Sequence, residues 1–174
     1  MTRETDSLTG DDTMMDANAI RIVPKTDDAH VTPGLLEHLS NLKGYKIADP
    51  APDIRGWEVD LPDQRKVGSV EDLIVDTQDL SVRYVEAKAR HEVLGTDDDE
   101  WVLLPVQRAR IDDQNKKVII DRLPETGLAE APRFARGVPN RSQEQQIQAY
   151  YGVDVMGEII RDELPGGDQQ EPVI

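Results

Sequence analysis

The fold is decided by residues 66–89, which read KVGSVEDLIVDTQDLSVRYVEAKA. Residues 82–89 alternate between two sets of side chains, and this period of two is typical of a half-buried β-strand. Residues 66–76 form a second strand-like run, and the TQD segment that follows supplies turn residues. Gly68 interrupts that run, which indicates a bulge where the strand bends. The stretch therefore predicts two strands joined by a tight turn.

Further strand-like runs lie on both sides of this pair. They cover residues 57–61, 101–111 and 117–122, with short turn-rich segments between them. Pro105 lies inside the second run, so that strand must be at an edge or bend there. Five or six strands with hairpin-length loops and no helical crossover predict a mainly β fold. The expected architecture is an antiparallel sheet or a small antiparallel β-barrel.

Two short helices are predicted to flank the strands. The first covers about 33–42, where a Thr-Pro pair precedes leucines at helical spacing. The second covers about 142–151, with Ser142 as the N-cap and Gln145 completing a capping box. Gly152 is expected to end this second helix.

Both ends of the 174-residue chain are acidic and poor in apolar residues. Residues 1–30 hold 7 acidic and 3 basic residues, and residues 154–174 hold 6 acidic and 1 basic residue. Such segments cannot bury enough apolar surface to fold alone. We therefore predict disordered acidic tails at 1–30 and 154–174 and a single domain over 31–153.

The composition argues against several classes of protein. The 35 acidic and 20 basic residues give a net charge of −15, which disfavours binding to nucleic acid or to an anionic membrane surface. The chain has no cysteine, so disulfides, thiolate nucleophiles and Cys-ligated metals are excluded. No apolar run is long enough for a transmembrane helix, and no signal peptide is visible. We expect a cytoplasmic protein that does not insert into a membrane.

No catalytic, cofactor or metal motif stands out in the sequence. The histidines are His30, His38 and His91. They are scattered, and each is expected to be solvated or to make a local hydrogen bond. The contiguous acids at 97–100 could offer oxygen ligands to a divalent cation, but they lack the spacing of a calcium loop, and an exposed hairpin tip is the expected role. Arg108 and Arg110 alternate on one strand, where they could contact an anion, although pairing with acids is the expected role. Phosphate-loop and nucleophile-elbow patterns are absent. We predict that the chain is not an enzyme and binds no cofactor and no metal.

The order of these motifs resembles a PRC-barrel domain. Residues 66–76 resemble the glycine-containing strand pair that opens such a domain, and residues 83–86 continue it. Residues 103–106 are similar to its later leucine-proline strand, and residues 110–111 and 118–120 complete the pattern. The resemblance implies a small closed antiparallel β-barrel with a short helix, used mainly as a docking module.

The segments around the barrel resemble a particular branch of this family. The DIRGW segment at 53–57 and the AYYG segment at 149–152 are similar to the cytoplasmic region of the H subunit of the purple-bacterial photosynthetic reaction centre. That subunit caps the reaction-centre core and supports proton delivery to a quinone, so the resemblance makes Glu86 a candidate proton-path residue. Lys88 stands where an acid is usual, and the transmembrane helix of the H subunit is absent. The interpretation that we favour is that Glu86 is a solvent-facing residue of its strand.

We predict from this a non-catalytic PRC-barrel protein that acts as an interaction or assembly module. Its partner would be another protein or a second copy in a homo-oligomer. The candidate contact residues are Trp57, Tyr84, Trp101, Tyr150 and Tyr151. Aromatic side chains dominate protein interfaces, although these could instead fill the core. The alternative function is a peripheral accessory subunit of a membrane photosynthetic or electron-transfer complex.

Overall fold

A computed structural model describes residues 14–133 and 136–153. In these residues the strands are β1 (Met14–Asp16), β2 (Ile22–Pro24), β3 (Leu36–His38), β4 (Tyr45–Ile47), β5 (Glu58–Asp60), β6 (Lys66–Asp76), β7 (Ser81–Ala89), β8 (Glu100–Pro105), β9 (Ala109–Asp112) and β10 (Lys117–Ile120). The α-helices are α1 (His91–Leu94) and α2 (Arg141–Tyr151), and 3₁₀ turns cover Ala17–Ala19, Leu39–Asn41 and Val106–Arg108. Over the described ranges, no helix has the length and apolar character needed to span a membrane.

Eight strands form one sheet in the order β1-β9-β10-β5-β6-β7-β8, with β3 added beside β6. β2 and β4 form a second, two-stranded sheet. The prediction of a mainly β fold is confirmed. Two details differ from a closed antiparallel barrel: the sheet is an open path that ends at β1 and β8, and β10 pairs with β5 in parallel.

The predicted irregularities at Gly68 and Pro105 are both confirmed. The register between β5 and β6 shifts beside Gly68. A Cβ atom on this glycine would lie 1.9 Å from the carbonyl oxygen of Lys88, so only glycine lets β7 approach so closely. Pro105 ends β8, and the chain turns through Val106–Arg108 before it continues as β9.

The predicted helix over 33–42 is wrong, because this segment pairs with the sheet. β6 has eleven residues and β5 only three, which leaves the second half of β6 without a partner on that edge. β3 fills the gap, with Leu36 opposite Asp76 and His38 opposite Ile74. Thr77 fixes this register, since its backbone N–H donates to the Leu35 carbonyl at 2.8 Å. Long-range strand pairing therefore overrides a helical spacing of leucines.

The predicted tail over 1–30 is wrong for residues 14–30. β1 pairs with β9 and β2 pairs with β4. Ala17, Ile20 and Ile22 are buried in the main core, each with at most 2% of its surface exposed. The folded unit therefore reaches back at least to residue 14. The predicted tails at 1–13 and 154–174 lie outside the described residues.

The closing helix is confirmed, but its N-cap lies two residues earlier than predicted. Asn140, not Ser142, is its N-cap: the Asn140 side chain accepts from the backbone of Gln143, whose own side chain accepts from the Asn140 N–H. Gly152 ends the helix with a left-handed backbone, φ 66°. Ile147 and Tyr151 bury its inner face against the sheet.

Candidate functional site

Two buried carboxylates face each other across the β6–β7 pair. Asp72 and Glu86 are direct register partners, and their residues are 2% and 1% exposed. Like charges directly opposite each other destabilise a sheet, and burial makes the repulsion larger. This position therefore needs compensating donors or cations.

The Glu86 carboxylate has two different partners, one on each oxygen. The Nε2 atom of His38, on β3, lies 3.2 Å from Glu86 Oε2. Arg136 donates from Nε to Glu86 Oε1 at 3.1 Å. β3 is placed here by its pairing with β6, so the strand that the sequence did not predict carries the histidine to the acid.

The Asp72 carboxylate accepts hydrogen bonds from its neighbour Leu73 and from Ser40, which is close to His38 in the chain. The backbone N–H groups of Leu73 and Ser40 donate to Oδ1 at 2.8 and 3.3 Å. The Ser40 hydroxyl donates to Oδ2 at 2.5 Å. Ser40 lies in the 3₁₀ turn that follows β3, so this turn is fastened to β6 through Asp72.

We call His38, Asp72 and Glu86 the His38 cluster. Each of the three side chains offers one ligand atom, and these atoms lie within 4.8 Å of one another. A cavity of about 310 Å³ opens onto the cluster and is lined by His38, Ser40, Asp72, Arg136 and Gly137. One imidazole and two carboxylates, with space for water beside them, could hold a metal ion.

Two predictions about these residues are wrong. His38 was expected in a helix, either solvated or in a local hydrogen bond. It lies instead in a strand and contacts a carboxylate from a distant part of the chain. Glu86 is almost fully buried, where a solvent-facing residue was the favoured interpretation. The proton-path role itself stays a prediction.

The sequence pattern does not predict this cluster, because bulges change which residues of β6 and β7 lie opposite each other. A regular register continued from the pair Asp76–Ser81 would set Asp72 opposite Val85. A register shift between Ile74 and Val75 instead brings Asp72 opposite Glu86, and a second shift, between Val70 and Asp72, restores the first register. Bulges of this kind change which side chains meet, and no residue in the run announces both of them.

The five predicted contact aromatics separate into two groups. Tyr84 and Tyr151 are 0% and 3% exposed, so they fill the core and are wrong as contact residues. The Tyr84 hydroxyl donates to Glu144 on α2 at 3.0 Å, and burial raises the pKa of Tyr84 well above its ordinary value. Trp57, Trp101 and Tyr150 remain half-buried, and their contact role stays a prediction.

Trp101 has the richest surroundings of the half-buried aromatics. It lies on β8, opposite Lys88 of β7. The Nζ atom of Lys88 is 5.2 Å and the Cζ atom of Arg136 is 5.7 Å from the centre of the indole ring. We call Lys88, Trp101 and Arg136 the Trp101 surface, which adjoins the His38 cluster because Arg136 belongs to both.

Two of the four acids at 97–100, Asp99 and Glu100, are paired by the chain itself. Asp99 accepts from the backbone N–H of His91 at 2.8 Å and lies 3.0 Å from its Nδ1 atom. Glu100 forms an ion pair with Arg133 at 2.7 Å. These contacts indicate a local structural role for these two acids.

Arg108 has a different partner from the acids that were expected. Its guanidinium donates to the carbonyl oxygens of Tyr151 and Gly152 at 3.1 and 3.0 Å. These carbonyls are at the C-terminal end of α2, where a helix has unpaired acceptors. Arg108 therefore fastens the helix to the sheet.

Comparison with known proteins supports the resemblance carried by the strand motifs. The family model of the PRC-barrel domain matches residues 38–126, which is half of the chain. A search of curated proteins finds no match. The finer likeness to the reaction-centre H subunit stays a prediction. The matched segment runs from β3, with its histidine, through β10, and includes the whole His38 cluster. On the strength of this match and the strand arrangement, the chain belongs to the PRC-barrel family.

Proposed function

We propose that this PRC-barrel is a non-catalytic docking module that binds a protein partner through the Trp101 surface. The observation that carries the proposal is Trp101 itself, a large aromatic side chain left half-buried on a strand at the end of the sheet. Tryptophan and arginine are the residues most often found at the energetic centres of protein interfaces. Here they lie side by side.

The interior of the domain supports an outward-facing role. The hydrophobic core is filled by the chain's own apolar side chains, including Leu73, Val85, Leu104 and Ile111, all 0% exposed. An apolar core filled in this way leaves no room for a ligand of the size of a cofactor between these side chains. Binding is then a task for the outer surface.

The edge position of β8 adds a second argument for this surface. In the described residues β8 pairs with β7 on one side, and the sheet ends there. Trp57 provides a contrast, because it precedes β5, which has strand partners on both sides. An edge strand that carries an aromatic side chain suits contact with another chain.

The test is a pull-down of the tagged full-length chain from an extract of its own cells, with quantitative mass spectrometry. We expect Trp101→Ala to lose the partner at least about tenfold, as the loss of an interface anchor would predict. Trp57→Ala is the matched control, because Trp57 is also half-buried and also has a lysine over its ring, with Lys116 Nζ at 5.0 Å.

The identity of the captured protein decides between the forms of the proposal. Recovery of the chain itself would indicate a homo-oligomer. Recovery of integral membrane electron-transfer subunits would indicate the accessory-subunit role and make Glu86 a residue to test for proton transfer. Equal recovery of all partners by wild type and Trp101→Ala would contradict docking through this surface.

A further inference from the structure

In the described residues, the two carboxylates of the His38 cluster have one directly contacting arginine, Arg136, while Arg55 interacts with Asp72 at longer range. Two carboxylates are buried in direct register at Asp72 and Glu86. The three donors that hold Asp72 are two backbone amides and a hydroxyl, none of which is charged. Of these two carboxylates Arg136 contacts only Glu86, through one nitrogen, and about half of its side chain is exposed. Buried charges of one sign are stable when a cation lies between them.

The hydrogen bonds around the cluster are arranged as they are around bound metals. Arg136 takes Oε1 of Glu86 and leaves Oε2 facing His38. Two backbone amides take Oδ1 of Asp72, and Oδ2 carries only the Ser40 hydroxyl. One oxygen of Glu86 is thus fixed by an outer donor, and both oxygens of Asp72 accept hydrogen bonds from outer donors. In metal sites such outer donors orient the ligating carboxylates.

We propose that His38, Asp72 and Glu86 bind a divalent transition-metal ion of the Zn²⁺ class. At metal–ligand distances of about 2.0–2.2 Å, tetrahedral ligand atoms lie roughly 3.3–3.6 Å apart. His38 Nε2 and Glu86 Oε2 are already 3.2 Å apart, and all three ligand atoms fall within 4.8 Å. An imidazole ligand favours Zn²⁺ over Ca²⁺ and Mg²⁺, which prefer oxygen ligands alone. The cavity beside the cluster leaves space for a water ligand.

Such an ion would join three strands of the domain. His38 belongs to β3, Asp72 to β6 and Glu86 to β7. β3 is only three residues long and holds the edge of β6 that β5 leaves open. A ligand that binds only the folded state stabilises it, so the melting temperature should rise with the Zn²⁺ concentration.

The test is isothermal titration of the chelator-treated full chain with Zn²⁺, repeated with Ca²⁺, together with the visible d–d spectrum after addition of Co²⁺. We expect one Zn²⁺ per chain and a spectrum of low-symmetry Co²⁺. We expect His38→Gln to weaken Zn²⁺ binding at least about tenfold. Removal of a group that only hydrogen-bonds to a metal ligand already lowers metal affinity by about tenfold, and His38 would itself be a ligand. The rise of the melting temperature with Zn²⁺ should disappear in the same variant.

His91→Gln is the matched control. His91 also lies beside two acids, with Nδ1 3.0 Å from Asp99 and Nε2 3.6 Å from Glu92, but its side chain is 47% exposed. We expect this variant to bind Zn²⁺ like the wild type. The proposal is overturned by the absence of stoichiometric Zn²⁺ binding, by equal loss in both variants, or by Ca²⁺ binding as tight as Zn²⁺ binding.

A second measurement covers the case in which His38→Gln does not fold. Zn²⁺ added to the ¹⁵N-labelled wild type should shift the imidazole nitrogens of His38 and leave those of His91 unchanged. The reverse pattern would overturn the assignment. Trp101→Ala, which tests the docking proposal, leaves all three ligands in place and should bind Zn²⁺ normally, so failure of one proposal does not imply failure of the other.

Discussion

At the scale of single residues, the surroundings decide what a histidine does. His38 and His91 each lie beside carboxylates, and neither is set apart by the sequence around it. His38 is largely covered, at 14% side-chain exposure, and its acid comes from a strand almost fifty residues away. His91 is half-exposed, and its acid comes from the next loop. The first arrangement can hold a ligand, and the second fastens a loop.

His91 provides a prediction about pH. The contact with Asp99 raises the pKa of His91 above its ordinary value of about 6.5, and the same contact lowers the pKa of Asp99. Because the folded state raises the pKa of His91, its contribution to stability is full below the unfolded pKa. That contribution is lost as the pH rises through the folded pKa. An NMR titration of the His91 ring should show the raised pKa, and Asp99→Asn should return it toward 6.5.

The control for this titration is Asp97→Asn, which removes a charge from the same loop. Asp97 is exposed, and the hydrogen bonds to His91 come from Asp99. We expect the pKa of His91 to remain raised in this variant. An equal fall in both variants would mean that the general acidity of the loop, and not the Asp99 contact, is responsible.

At the scale of elements, the ends of helices and the register of strands depend on contacts beyond local spacing. The spacing of residues 142–151 predicts a capping box that starts at Ser142, and a box of the same kind forms two residues earlier, at Asn140. Both residues are good N-caps, so local propensity does not choose between them. With Asn140 as the cap, Ile147 and Tyr151 are buried.

The N-cap assignment can be tested by a pair of variants. Asn140→Ala removes the side-chain acceptor for the Gln143 N–H, and we expect the free energy of unfolding to fall by about 1 kcal/mol. Ser142→Ala changes an exposed position inside the helix, and we expect a change within about 0.5 kcal/mol. Chemical denaturation of both variants measures the difference. A larger loss for Ser142→Ala would place the helix start where the spacing predicts it.

At the scale of the whole molecule, the N-terminal segment completes the domain. β1 adds to β9 at one end of the sheet, and the chain then passes beside β7, where Val82 N–H donates to the Ile20 carbonyl at 3.2 Å. The thirteen residues before β1 contain only two apolar residues, Met1 and Leu8, and residues 1–30 are acidic, which is why composition alone predicts a tail. Three apolar residues of the segment nevertheless enter the main core.

Ile20→Ala tests whether this segment is part of the folded unit. Ile20 is 0% exposed, so the truncation leaves a cavity, and we expect a loss of about 2–5 kcal/mol in the free energy of unfolding. Leu35→Ala removes a similar side chain that is 55% exposed, and should cost less than about 0.5 kcal/mol. Denaturant unfolding of the two variants gives the comparison. Near-equal stability of wild type and Ile20→Ala would contradict the packing of this segment.

The sequence by itself determined the strands of the β6–β7 pair, the bulge at Gly68, the bend at Pro105 and membership of the PRC-barrel family. These features depend on patterns within a few residues, or on motifs in fixed order, so they are visible without coordinates. Only the tertiary structure decided that residues 36–38 form a strand, that residues 14–24 enter the core and that Asp72, Glu86 and His38 meet. Each of these depends on an unfilled edge or a register shift elsewhere in the sheet. In these regions, burial and strand pairing between residues distant in the sequence stabilise the structure by more than the local secondary-structure preference of the segment opposes it.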